Sequence, residues 1–221
     1  MRSTSRCSNT WTTASAKCSR RFDRLNLADD TLVLFTSDNG GSLPEGGFNG
    51  PWRSGKTHMY EGGLRVPGLV RRPGKIAPGG QTDHVVLTMD VFATCCELAG
   101  AVPPAGIDGV SFLPTLLGRR QADGPRDLYF CRREGGPAYG GKTIEAYRRG
   151  PWKLLQDSPF APPELYNLAS DPQETTNLAA QEKVVFRDLS AALRRQIQLG
   201  GAVPWQRPEP PTTTQQHSEQ K

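Results

Sequence analysis

No apolar run in this 221-residue chain approaches the roughly 20 residues a helix needs to cross a bilayer, so membrane insertion is not expected. No apolar h-region follows the basic residues near Met1, and no signal peptide is read there. Cysteine is sparse and irregular. Cys7, Cys18, Cys95, Cys96 and Cys131 form an odd set of five, against both a disulfide framework and a zinc site. No helix-turn-helix, zinc-finger or RNA-binding signature occurs, and no internal repeat. The formal net charge is only +5, and six of the cations fall in the first 24 residues against one acid, Asp23. A nucleic-acid arm would rest on that segment alone, so no nucleic-acid partner is expected. What is present is a soluble composition, 36 % hydrophobic, long enough for one domain with a core or a large piece of a bigger one.

Residues 1–21 show neither helical nor strand periodicity. From Phe22 the character changes: a helix end, a polar connection, then an apolar strand at Thr31–Thr36. Residues 38–65 read as one long Gly-rich loop, a length that is usually functional. Val66–Arg71 reads as a short strand and Thr88–Ala99 as a helix stopped by Gly100. On that helix Phe92, Cys95, Cys96 and Ala99 share a side, which predicts buried cysteines. A turn and short apolar helix follow in DGVSFLPTLLG. Asp127–Cys131, Thr143–Tyr147, Trp152–Gln156 and Glu164–Asn167 read as strands of an antiparallel sheet. Gln181–Leu199 is an amphipathic helix with Val185, Leu189, Leu193 and Ile197 spaced by four. A lone Thr31–Thr36 strand is not stable, so its sheet partners are expected outside this chain.

Candidate chemistry concentrates between Thr31 and Pro67. Asp38 and Asn39 follow a strand, and ligands in open α/β sheets collect beyond the carboxyl ends of strands. A carboxylate and an amide oxygen are hard donors that suit calcium or magnesium, although Asp-Asn-Gly is also an ordinary turn sequence. Lys56, between Gly55 and the Gly62-Gly63 pair, is a cation able to neutralise a sulfate or phosphate oxygen. His58 is a candidate acid or base without visible partners, and Glu61 and Arg65 read as loop-fixing groups.

The combination is more specific than its members. SDNG, GK…YEGGLRVP, RPGKIAPG, a helix ending in ELAG, DGVSFLPTLLG and ELYNLASDPQETTNLA occur in one order. From Phe22 to Leu199 the chain resembles the C-terminal half of a type I sulfatase, the formylglycine-dependent family of the alkaline phosphatase superfamily. The resemblance implies an α/β fold: the C-terminal part of a sulfatase sheet domain plus a small antiparallel sheet-and-helix subdomain. It implies that Asp38 and Asn39 are ligands of an active-site calcium and that Lys56 contacts the sulfate group. The implied substrate is a sulfated small molecule or carbohydrate, and a periplasmic or secreted location is expected for a full-length parent, with none assigned to this chain. Arg72 departs from the pattern, standing where relatives usually carry an aromatic residue. The larger departure is that no C/S-x-P-S-R motif, the source of the formylglycine nucleophile, occurs here, so the chain alone is expected to be inactive.

The family's pattern also places an amphipathic helix where MRSTSRCSNTWTTASAKCSRR stands. Codons allowed for Ser8–Ser19, read in an alternate frame, give Leu-Glu-His-Met-Asp-Asp-Ser-Val-Gly-Lys-Val-Leu, the helix that pattern asks for. Residues 1–21 are therefore expected to be an aberrant, out-of-frame segment. The remaining division is 22–125 for the α/β part, 126–203 for the antiparallel subdomain with its helix, and 204–221 for a disordered tail. Rival readings are a phosphodiesterase or phosphonate hydrolase of the same superfamily, and a non-catalytic orphan subdomain.

Overall fold

The structure is a computed structural model that describes residues 2–121, 124, 126–133, 143–158 and 160–200. The tail expected at 204–221 lies outside the described residues. The chain divides into two compact units, Met1–Arg126 and Asp127–Lys221.

The first unit opens on helix α1, Arg2–Arg24, where the sequence reading expects no helix. The correction has a local cause. The stretch contains no Gly or Pro, carries good helix formers such as Ala14, Ala16 and Lys17, and places Arg21 and Arg24 against the negative end of the helix dipole. Asn26, at φ 56, ends it. The Leu27 N–H donates to the Phe22 carbonyl at 3.0 Å and the Asn26 N–H to that of Asp23 at 3.2 Å, a Schellman C-cap.

Strand β1, Val33–Thr36, pairs antiparallel with β2, Gly68–Arg71, in the register Val33↔Arg71 to Thr36↔Gly68. A sheet partner for β1 thus lies inside the chain, correcting the expectation that it lies outside. Arg72 Nε donates to the Asp29 carbonyl at 3.2 Å. The loop expected over 38–65 is interrupted by one helical turn, α2, Glu61–Leu64.

Helix α3, Asp90–Leu98, is closed by Gly100 at φ 68, the left-handed stop its sequence calls for. Its buried side corrects the sequence reading. Asp90, Ala93 and Thr94 face inward, whereas Phe92 and Cys95 are exposed and Cys96 is half-buried. Hydrogen bonding decides the face. Asp90 accepts from the Leu87 N–H at 2.6 Å, from the Val110 N–H at 2.9 Å and from both terminal nitrogens of Arg126. Thr94 Oγ1 donates to the Asp90 carbonyl and accepts the Phe112 N–H at 3.1 Å, which seats the short helix α4, Leu113–Leu116.

The second unit is an antiparallel meander of β3 (Asp127–Arg133), β4 (Thr143–Arg149), β5 (Trp152–Gln156) and β6 (Glu164–Asn167), followed by α5 (Lys183–Gly200). Tyr147, Leu154 and Leu165 stand opposite one another on successive strands and pack against Leu189, Ala192 and Leu193 of α5. Val185 and Ile197 flank that core, as the four-residue spacing predicts.

Candidate metal and anion site

Strand β1 ends at Thr36 and hands the chain to Ser37, Asp38 and Asn39. Asp38 is exposed and Asn39 half-buried. Asp38 Oδ1 accepts the Asn39 N–H at 3.0 Å, and Ser37 Oγ donates to the Asn39 carbonyl at 2.9 Å. These bonds fix the turn, and a carboxylate has lone pairs left for a ligand.

The next residues are knitted to the lysine loop by backbone hydrogen bonds. The Gly40 N–H donates to the Gly63 carbonyl at 2.9 Å, the Gly62 N–H to the Arg53 carbonyl at 2.9 Å, and the Lys56 N–H to the Gly41 carbonyl at 3.1 Å. The chains approach so closely that no side chain fits between them. A Cβ on Gly40 would stand 1.8 Å from the Gly62 carbonyl oxygen, one on Gly62 2.3 Å from that of Ser54, and one on Gly63 2.2 Å from that of His58. Glycine here serves close approach, the constraint that forbids any larger residue.

Lys56 therefore sits on a turn whose backbone is tied to the loop bearing Asp38 and Asn39. Its side chain is exposed, and among the described residues no carboxylate pairs with it. Ser54 and Thr57, on either side, hold φ values of 64 and 82, a left-handed conformation that is costly for a β-branched threonine. His58 is exposed, with its N–H donating to the Gly55 carbonyl at 3.1 Å and its ring 6.4 Å from that of Tyr60. Glu61 is buried, while Arg65 stacks on Trp52 at 4.3 Å and Arg53 on Tyr60 at 3.8 Å. The last two stacks brace the loop with delocalised cations on ring faces.

Asp38 and Asn39 are chemically suited to a hard divalent cation, but calcium takes about six to eight oxygens. Among the described residues no group of three or more His, Cys, Asp or Glu side chains is placed to hold a metal. The pair fits a metal shell as a contributor of two ligands.

Three features of the chain escape a reading by sequence. Asn49 bonds only to backbone, with Oδ1 accepting the Gly41 N–H at 2.6 Å and Nδ2 donating to the Gly41 and Ser54 carbonyls at 3.0 Å each. The strained Ser54 and Thr57 carry no compositional mark. Lys153 and Glu174 form a fully buried ion pair at 2.9 Å, with Glu174 at φ 56. The ELYNLASDPQETTNLA segment is likewise structural. Asp171 accepts the Thr175 and Thr176 N–H groups at 2.8 Å each, and Asn177 Oδ1 accepts that of Leu165 at 3.1 Å.

An acid–amide pair after a strand, a glycine-knit lysine loop and a following antiparallel sheet with its helix define the C-terminal region of an alkaline-phosphatase-like sulfatase. Residues 52–199 match the family described as N-sulphoglucosamine sulphohydrolase, C-terminal, and the chain belongs to that family. It is 48 % identical over 219 residues to rat steryl-sulfatase, covering 79 % of this chain and 37 % of that protein. It is 47 % identical over 111 residues to human N-acetylgalactosamine-6-sulfatase, covering 48 % of this chain and 21 % of that protein. The crystal structure of Ps i-CgsB in complex with k-i-k-neocarrahexaose superposes with a TM-score of 0.72 at 28 % identity, over 82 % of this chain and 39 % of that one. The phosphonate monoester hydrolase of Agrobacterium radiobacter superposes with a TM-score of 0.61 at 27 % identity, over 85 % and 38 %. The chain thus spans well under half the length of these relatives. Among the described residues no helix is long and apolar enough to cross a membrane.

Proposed function

We propose that this chain carries the C-terminal share of a sulfate-ester hydrolase site. Asp38 and Asn39 supply two oxygen ligands to calcium, with magnesium as the alternative hard cation, and Lys56 contacts the sulfate. The observation that carries this reading is the 3.1 Å bond from the Lys56 N–H to the Gly41 carbonyl, which ties the cation's turn to the loop bearing the two oxygens in a chain of a sulfatase family. Calcium, when bound, supplies positive charge to a sulfate oxygen. The residues of this chain do the rest of what falls to it. Asp38 and Asn39 orient their oxygens from a hydrogen-bonded turn. The Lys56 ammonium balances charge on a second sulfate oxygen, a preorganised electrostatic contribution. His58, exposed on the same turn, is kept as the candidate acid or base of this share of the site. The formylglycine nucleophile has no source in these 221 residues, which lack C/S-x-P-S-R.

A sulfated carbohydrate is the favoured substrate class, supported by the similarity to N-acetylgalactosamine-6-sulfatase and to a structure that holds a neocarrahexaose. The similarity to steryl-sulfatase supports a sulfated small molecule as the alternative. The likeness to a phosphonate monoester hydrolase favours a second reading with the same metal logic and a different oxyanion.

The test is a calcium titration of the purified chain followed by NMR, beside an assay with an aryl sulfate. Calcium is expected to move the Asp38 and Asn39 signals with weak affinity, and Asp38→Ala to remove the response. No aryl sulfate turnover is expected. Clear turnover would refute the reading that the nucleophile is absent, and a calcium response surviving in Asp38→Ala would remove the assigned ligands.

A further inference from the structure

We infer that Asn49 is the positioning residue that sets Lys56 relative to Asp38 and Asn39, an inference that rests on the site reading above. All three hydrogen-bonding positions of its amide that the structure engages reach backbone of the two loops. Oδ1 takes the Gly41 N–H at 2.6 Å, and the two Nδ2 hydrogens go to the carbonyls of Gly41 and Ser54 at 3.0 Å each. One side belongs to the Asp38-Asn39-Gly40-Gly41 turn, and the other to the segment that leads into Lys56. The Gly41 carbonyl is shared, because it also accepts the Lys56 N–H at 3.1 Å.

The surrounding backbone is shaped to admit this side chain. A Cβ on Gly55 would stand 2.6 Å from Asn49 Nδ2 and 2.4 Å from the Gly41 oxygen, so the residue before Lys56 must be glycine for the clamp to close. The clamp also opposes strain. Ser54 and Thr57 bracket Lys56 at φ 64 and 82, conformations that persist only where neighbouring contacts over-determine them. The Nδ2 bond to the Ser54 carbonyl is one such contact. Without it the segment is free to relax toward ordinary φ, and the Lys56 Cα moves with it. The amide is half-buried and faces backbone, so Asn49 acts through Lys56 and not on a substrate.

The experiment uses the 15N-labelled full chain with calcium chloride and sodium sulfate as probes. In Asn49→Ala the Gly41 and Lys56 amides are expected to exchange about tenfold faster, the effect of losing one or two hydrogen bonds locally, with the β4 and β5 amides unchanged. Asn49→Asp keeps the acceptor for the Gly41 N–H, loses both donors and sets a carboxylate oxygen against the Gly41 and Ser54 carbonyls. It is expected to restore protection at Gly41 while Lys56 stays loose, a split that general destabilisation does not produce. In the native chain calcium is expected to strengthen the response of the Lys56 signal to sulfate, and Asn49→Ala to abolish that coupling while Asp38 and Asn39 still respond to calcium. Unchanged Lys56 exchange in Asn49→Ala overturns the inference. So does loss of the whole first unit in both variants, which would make Asn49 a general stabiliser. If calcium leaves Asp38 and Asn39 unmoved in the native chain, the functional reading fails, and the exchange pattern still decides the role of Asn49.

Discussion

Among the described residues, glycines 40, 62 and 63 are under a tight residue-level constraint, each facing backbone where a Cβ would stand. A methyl group on Gly62 meets the Ser54 and Arg53 carbonyl oxygens at 2.3 and 2.4 Å, both backbone atoms that cannot step aside. Gly62→Ala is therefore expected to destabilise the first unit by about 1–3 kcal/mol or more, the usual cost of overpacking. Urea unfolding followed at Trp52 measures it, and an unchanged midpoint would mean the two loops separate easily. Lys153 offers a second test. It and Glu174 are completely buried together. Lys153→Met leaves a carboxylate without its cation, expected to cost about 3–5 kcal/mol in urea unfolding of the second unit. Neither constraint is legible as chemistry in the sequence. A Gly-Gly pair announces a tight backbone without saying what approaches it, and a lysine in WKLLQ looks like any solvated strand lysine.

Elements built on period and punctuation were the legible part. The β5 and β6 strands occur at the expected residues, and α5 buries Leu189 and Leu193 from the expected stripe. Helix α3 was legible in its extent and its glycine stop but not in its buried face, because Asp90 and Thr94 are drawn inward by hydrogen bonds that hydrophobic periodicity does not register. In α1 the absence of Gly and Pro permits a helix that hydrophobic periodicity does not register. A helix there is compatible with an out-of-frame origin, because a stretch without Gly or Pro has no strong helix breaker whatever its frame. We propose that residues 1–21 are out of frame, and codons there that forbid the alternate frame would dispose of it. The β3–β4 pairing carries a pH prediction. Arg149 donates to Asp127 at 2.7 Å through Nε, and the Tyr147 hydroxyl donates to the same carboxylate at 2.6 Å. The Arg149 bonds hold the Asp127 carboxyl below its ordinary 3.8. A depressed folded value stabilises the folded state above the unfolded value, and that contribution is lost as pH falls from about 3.8 through the lower folded value. Acid unfolding of the second unit is expected to begin in that window, and Arg149→Ala to move its onset to higher pH. Circular dichroism against pH reads it, and an onset unmoved by the substitution would remove Asp127 from the account. Because both partners are more than a third exposed, the shift in onset is expected to be modest and to shrink in high salt.

At the scale of the whole molecule the question is how much apolar surface this chain presents to water. The β1–β2 ribbon places Phe35 directly opposite Leu69, and both are exposed, Leu69 at 63 %. Among the described residues each of these strands pairs only with the other, so each leaves one edge without a partner. A two-stranded ribbon is marginal by itself, and open edges beside exposed apolar side chains are templates for association. Phe48 and Phe92 add exposed rings elsewhere in the same unit. The second unit covers the middle of its α5 stripe with Tyr147, Leu154 and Leu165, while Phe160, Val184 and Leu199 are exposed on it and β3 and β6 are its edge strands. The β1–β2 ribbon is the candidate surface for association, because it sets an exposed apolar cross-strand pair beside two open edges in a sheet of only two strands. The purified chain is expected to self-associate at concentrations on the order of 10–100 µM, the range in which exposed apolar surface and unpaired edges drive aggregation. Phe35→Ser with Leu69→Lys removes the cross-strand apolar pair and places a charge on the ribbon, without touching any residue of the Asp38–Lys56 site. It is expected to shift the population toward monomer in analytical ultracentrifugation. The sheet signals of the second unit stay as they are. A native chain that sediments as a monomer throughout that range would show that the ribbon is protected in solution. Association that persists undiminished in the double variant would place the sticky surface elsewhere, with Phe48, Phe92 and Phe160 the next positions to change.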